Sequence, residues 1–266
     1  IEYECTAPEY EFDSSAYDRR IYYGFGKADP SVELVMGPNI TDWPKMYALT
    51  ENLLVKLAAV IHDPVTTTDE LIPSGETSSY RPLRLAEFTL SRREPAYVGR
   101  AKEIAKLEGE RRSGAVPAEI VETLNRVGNG AELANNTQFG SCVFANKPGD
   151  GSAREQAASC QKVLGGFANI CYEYATKRYR SNCINWGILP FTIDDGTEFN
   201  YEPGDCVFVP GIRAAVENGT ENIPAKVIRQ NGDVCDIMLH LRGLTPDEKE
   251  IILDGCLMNY YAARAE

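Results

Sequence analysis

The stretch Phe139-Gly-Ser-Cys-Val-Phe-Ala145, continuing as Asn146-Lys-Pro-Gly-Asp-Gly151 and then into residues 152–164, limits what this chain can fold into more than any other feature. The first part is an apolar run of strand length, the second carries a proline and two glycines, and the third has the composition of a helix. A strand that leads through a glycine loop into a helix lays that helix back over a sheet, which points to an α/β domain. It also sets the free N–H groups of a helix N-terminus beside a loop whose backbone can approach a ligand closely. Ser152 and Arg154 stand at that opening. Two readings of it compete. Ser152 followed three residues later by Glu155 is a capping-box pattern, in which both side chains are used up on backbone N–H groups. The glycines before Ser152, with Arg154 in the same turn, favour instead a carboxylate site, because a guanidinium fork matches a planar carboxylate.

Elsewhere, strands are predicted at 53–61, 166–172, 206–210, 223–229 and 235–241. Helical sequence is predicted at 96–126, broken at Gly114 and Pro117, and again at 174–181, with a loop over 128–136. A last helix is announced by Thr245 as N-cap, Pro246 at the first position and Glu248 at the third. Residues 1–44 mix acidic residues, Tyr, Gly and Pro without periodicity and read as an extended arm or linker, leaving 45–266 as one domain with a mixed sheet.

A second polar loop, Val65-Thr-Thr-Thr-Asp69-Glu-Leu-Ile-Pro-Ser-Gly75, follows the first strand and runs on to Tyr80-Arg81. Taken singly, Asp69 is an ordinary turn or capping residue and Arg81 an ordinary surface ion-pair partner. Together they bring an acid and a guanidinium into one segment.

The net charge of −12 argues against nucleic acid as a partner, since phosphate binding needs clustered Lys and Arg. Lys177, Arg178 and Arg180 read as a solvated helix face. No membrane-spanning run and no signal sequence is seen, so a cytoplasmic protein is expected. The eight cysteines are scattered without a CxxC pair and are read as reduced, buried thiols rather than metal ligands. His62 and His240 read as structural. The start at Ile1, without Met, reads as a fragment of something longer.

The two loops resemble the aconitase superfamily. Thr67-Thr-Asp-Glu-Leu-Ile-Pro-Ser-Gly75 is similar to that family's TTDHISPAG loop, and the 12 positions from Asp69 to Arg81 match its step from the loop aspartate to a substrate arginine. Gly149-Asp-Gly-Ser-Ala-Arg-Glu-Gln-Ala-Ala158, leading to Leu164-Gly-Gly166, is similar to its GxGSSREHAA…LGG motif, and Asn182 to Pro190, with Gly187-Ile-Leu-Pro, to its N…GLLPL segment. The resemblance implies the C-terminal swivelling domain, a β/β/α layered fold preceded by a linker. It further implies a hydro-lyase that dehydrates and rehydrates a small hydroxy di- or tricarboxylate, with a [4Fe–4S] cluster held by domains outside this chain that serve as its partner.

Carried over by position, Ser152 is the base, Arg81 and Arg154 hold carboxylates, Asp69 orients the site, and Ala153 occupies a substrate-contacting place. Three departures stand out: Ala153 replaces the family's second serine, Gln156 a histidine, and Glu70 the histidine after the loop aspartate. They keep open a small subunit of an isopropylmalate- or homoaconitate-type isomerase, or a degenerate carboxylate-binding module.

Overall fold

Strand β1 (Asn52–Ile61) is buried along nearly its whole length, as a parallel strand covered on both faces must be. In the computed structural model, which describes residues 7–20, 26–33, 35–38, 40–73, 75 and 82–264, β1 is followed by β2 (Thr66–Thr67), β3 (Thr137–Ala145), β4 (Pro148–Asp150), β5 (Gly166–Cys171) and β6 (Leu189–Thr192). Three further strands, β7 (Cys206–Val209), β8 (Asn222–Ile228) and β9 (Val234–His240), complete the set. Seven of these close into a barrel in the order β1-β3-β5-β6-β9-β8-β7. The β1-β3-β5-β6 half is parallel and the rest antiparallel, so the mixed sheet expected from the sequence is present.

Two hydrophobic cores follow from the alternation of side chains along these strands. Every strand of the barrel contributes to one of them, including Leu53, Val55 and Leu57 of β1, Phe144 of β3 and Phe191 of β6, so it fills the interior. The other takes Leu54 and Ala58 of β1 with Phe139 and Val143 of β3, and covers them with helices. A bulge between Leu57 and Ala59 lets the long β1 keep both sets of contacts.

The outer core is roofed by α4 (Tyr97–Arg112), α5 (Ala118–Leu124), α6 (Gly130–Asn135), α7 (Arg154–Val163) and α8 (Lys177–Asn185), preceded in the chain by α1 (Ser15–Arg20), α2 (Thr68–Leu71) and α3 (Pro82–Ala86). After them come α9 (Ile212–Asn218), α10 (Pro246–Asp254) and α11 (Leu257–Ala262). By internal contacts, residues 1–37 and 38–266 form separate units. In the first, the Asp13 carboxylate accepts from the Ser15 backbone N–H at 2.9 Å just where α1 starts.

The predicted break at Gly114 and Pro117 separates α4 from α5, and Thr245 and Glu248 form the expected capping box on α10. Some expectations are corrected. Residues 128–136 hold α6, which starts where Asn129 accepts from the Glu132 N–H. The helix expected at 174–181 begins at Lys177, because Thr176 is its N-cap and accepts from the Tyr179 N–H. The arm contains α1 rather than being wholly extended.

Phe144 has no solvent exposure and stacks on Phe199 at a centroid distance of 3.8 Å. Phe144→Ala is therefore expected to remove about 3–5 kcal/mol of stability. Urea unfolding should show this as a lower midpoint with an unchanged slope.

Candidate active site

In a parallel sheet all strands point the same way, so the loops that follow β1, β3 and β5 leave from one edge, the carboxyl edge where α/β proteins bind ligands. Asn146 knits these three exits together. Its N–H donates to the carbonyl of Ile61 at 3.2 Å, its side-chain amide donates to that of His62 at 2.7 Å, and its carbonyl accepts from the Tyr172 N–H at 3.2 Å. Beyond it, β2 and β4 form a small parallel pair, Thr66 opposite Pro148 and Thr67 opposite Asp150. The two sequence motifs, some 80 residues apart, thus lie side by side.

The glycine loop is held from both sides. At Gly151, with φ of +129°, an added Cβ would stand 2.2 Å from the Thr68 Oγ1. At Gly149, with φ of +98°, it would stand 2.3 Å from the Tyr179 ring. Both positions need glycine for backbone conformation and for space. On the α8 side, the Thr176 hydroxyl donates to the Gly149 carbonyl at 3.1 Å and the Ala175 N–H to the Pro148 carbonyl at 2.9 Å.

The capping-box reading of Ser152 is not what the structure shows. The N-cap of α7 is Ala153, with φ of −81° and ψ of 42°, and no side chain caps the helix. Ser152 lies one residue further out and is exposed. Glu155, the other half of the expected capping box, instead accepts from the Trp186 indole N–H at 3.0 Å. Trp186 in turn packs on Trp43 at 4.5 Å. The Ser152 hydroxyl makes no hydrogen bond among the described residues and stands beside the first turn of α7, which no side chain caps.

Ser152, Arg154 and Glu155 line an open cleft of about 340 Å³ whose opposite wall is α8: Lys177, Arg178, Ser181 and Asn182. Arg154 is half-buried, and its Nε is shielded from solvent with no hydrogen-bond partner among the described residues. A buried guanidinium N–H without an acceptor costs free energy that an anion in the cleft would recover. Three cationic side chains face one carboxylate here, in a chain whose net charge is −12. Lys177 and Arg178 are exposed, as read from the sequence, and their exposed face forms one wall of this cleft. Arg180 leaves that wall to donate to the Arg242 carbonyl at 2.6 Å. The signal that points to Lys177 and Arg178 is a basic pair directly behind an N-cap threonine, at the exit of a parallel strand.

The other expected residues are placed as follows. Asp69 lies in the first turn of α2, whose capping box is made by Thr67 and Glu70, and its carboxylate accepts from Arg92 Nη1 at 2.8 Å. It adjoins the glycine loop through β2 and Thr68 but does not line the cleft of Ser152 and Arg154. The Ala153 methyl packs against the outer core. Arg81 lies outside the described residues.

A cluster of iron and sulfur requires several thiolates converging on one point. Among the described residues no group of three His, Cys, Asp or Glu is arranged to hold a metal ion. Burial pushes the thiols of Cys160, Cys183 and Cys206 up to about 12 and raises those of Cys142 and Cys171 as well, which holds them protonated. These cysteines do not fit a cluster. Among the described residues no helix is long and apolar enough to cross a membrane.

Residues 122–196 match the family of aconitase C-terminal domains, a stretch that runs from α5 through the glycine loop and α8 to just beyond β6. Over these residues the chain is similar to an aconitase C-terminal domain. Aconitate hydratase A of Bradyrhizobium diazoefficiens is 28% identical over 122 residues, which is 44% of this chain and 13% of that protein. A putative mitochondrial aconitate hydratase of Aspergillus fumigatus is 29% identical over 125 residues, 46% of this chain and 15% of that protein. The chain thus matches only a small part of these relatives. A crystal structure of 3-isopropylmalate dehydratase from Methanocaldococcus jannaschii aligns over 80% of this chain and 95% of its own, with 21% identity and a TM-score of 0.45.

Ser152→Ala is expected to change the unfolding free energy by less than about 0.5 kcal/mol, where loss of a true N-cap would cost about 1 kcal/mol. Gly149→Ala, which drives a methyl into Tyr179, is expected to cost about 1–3 kcal/mol. Chemical denaturation of the two variants side by side checks both.

Proposed function

We propose that the chain is the swivel domain of an aconitase-family hydro-lyase and acts on a small hydroxy di- or tricarboxylate, with residues 45–266 as the domain and 1–44 as the arm leading into it. The observation that carries this reading is the Ser152 hydroxyl beside the Arg154 Nε, both without a hydrogen-bond partner among the described residues, in a cationic cleft at the carboxyl edge of a parallel sheet.

The chemistry follows from that pair. A proton on a carbon beside a carboxylate is weakly acidic, and its removal puts a second negative charge on the carboxylate oxygens. Ser152 takes the proton. A serine hydroxyl is a poor base in water, but the free N–H groups of α7 and the surrounding cations stabilise its ionised form. Arg154 binds the carboxylate and strengthens its hold as charge develops there, which is where preorganised donors accelerate a reaction. Lys177 and Arg178 raise the local positive potential and draw the polyanion in. Arg81 holds a further carboxylate. Asp69, fixed by Arg92, keeps its loop in place against the glycine loop. Departure of the hydroxyl belongs to cluster-bearing domains that form the partner of this one, and the chain's own part ends with the proton and the carboxylates.

The test uses the full-length protein that contains this chain, assayed on citrate, isocitrate and isopropylmalate. Ser152→Ala is expected to lower kcat by about 100- to 10,000-fold with little change in KM, the range for loss of a general base. Arg154→Lys is expected to raise KM about tenfold or more, because an ammonium cannot reproduce the fork. A Ser152→Ala enzyme that keeps its rate would show that the hydroxyl takes no part in proton transfer.

A further inference from the structure

A second cleft, of about 220 Å³, lies at the other end of α7, eight residues or about 12 Å along the helix from Arg154. Residues 44–47, the last two turns of α4, Phe139 and Phe167 form its walls, and Lys162 and Arg112 bring charge into it. It shares no lining residue with the cleft of Ser152.

The polar groups here are not balanced among themselves. The Glu108 carboxylate is saturated: it accepts from Arg111 Nε at 2.7 Å and Nη2 at 2.9 Å, from Arg112 Nε at 2.7 Å and from the Phe139 N–H at 3.0 Å. The Arg112 guanidinium lies 3.9 Å from the centre of the Tyr47 ring, and its Nη2 is buried with no partner among the described residues. The Lys45 Nζ lies 5.3 Å from the centre of the same ring.

Lys162 is 5% exposed. Its Nζ donates one hydrogen bond, to the Gly187 carbonyl at 3.1 Å, and sits 4.4 Å from the Phe167 ring centre. Burial, with Cys256 opposing and the Arg112 charge adding to it, pulls the amine down to about 7. A lysine that only tethered the exit of α8 through Gly187 would account for the single hydrogen bond. It would not account for Lys162 lining an open cleft together with Arg112, whose buried Nη2 has no partner among the described residues.

We infer that this cleft is a carbonyl site, in which Lys162 forms a reversible imine with a small 2-oxo acid whose carboxylate rests on Arg112. The lone pair of Nζ adds to the carbonyl carbon and the amine proton passes to the carbonyl oxygen, giving a carbinolamine. Loss of water then leaves the C=N bond, and addition of water reverses it. No oxidant or reductant is consumed. Phe139, Phe167 and Val163 give the cleft an apolar lining, and its volume restricts the acid to a few carbons. This inference stands independently of the function proposed for Ser152 and Arg154.

Reductive trapping tests it. The whole protein is incubated at pH 7 with glyoxylate and sodium cyanoborohydride, and lysine adducts are located by peptide mass spectrometry. An amine near 7 is about half neutral at that pH, against less than about one part in a thousand for an ordinary lysine. Lys162 is therefore expected to be labelled at least about tenfold faster than exposed Lys106, with half-maximal labelling near pH 7. Arg112→Gln, checked for folding by circular dichroism, is expected to slow labelling by glyoxylate about tenfold and to leave labelling by propanal unchanged. Labelling of Lys162 no faster than Lys106 in the unaltered protein would overturn the inference. Equal rates for glyoxylate and propanal in that protein would remove the role given to Arg112 and overturn it in the form stated.

Discussion

The parallel alignment of β1, β3 and β5 is the constraint on which the rest of this domain depends. A one-residue slip would turn inner-core side chains outwards, so the two hydrophobic cores lock the register. Once the register is locked, three loops must leave from one edge, and Asn146 ties their starting points to one another with three hydrogen bonds. The small β2 and β4 pair then carries that order outwards, to where Thr68 meets Gly151. The position of Ser152 is inherited through this chain of contacts and needs no hydrogen bond of its own.

Much of this was legible in the sequence, and the reasons are physical. Long apolar runs such as 53–61 and 139–145 have few alternatives to a buried strand, and β1 and β3 lie there. The Thr245, Pro246 and Glu248 pattern uses local hydrogen bonds that do not depend on the rest of the fold, and it caps α10 as expected. The same pattern failed at Ser152 and Glu155 because tertiary contacts outweighed it. Trp186 claims the Glu155 carboxylate, and the clamp on Gly149 and Gly151 shifts the helix start to Ala153. A local motif is a reliable guide only where nothing distant competes for its side chains.

The site was legible in part. Ser152 and Arg154 are near neighbours in sequence and needed only the strand, loop and helix order to be placed together. Lys177 and Arg178 belong to a different element, α8, and their place opposite Ser152 depends on the pairing of β3 with β5. Composition hid them further, since a net charge of −12 draws attention away from any cationic cluster. Lys162 was hidden for another reason: a lysine within a helical run of mixed polarity looks solvated until the strands and α4 are packed around it.

Closure of the sheet has a bearing on how such a domain avoids pairing with its neighbours. An open sheet ends in a row of unpaired N–H and C=O groups that can recruit a strand from a neighbouring molecule and seed aggregation. Here the antiparallel half bends round to meet the parallel half, and β7 pairs with β1. The ring is not equally strong throughout, however. Between β6 and β9 the register consists of the single pair Thr192 and His240, with His240 Nδ1 2.8 Å from Asn222 Oδ1 and Nε2 3.1 Å from Asp194 Oδ1. That seam is where the cylinder would unzip first, and the buried imidazole is the rivet that keeps its two edges from finding other company.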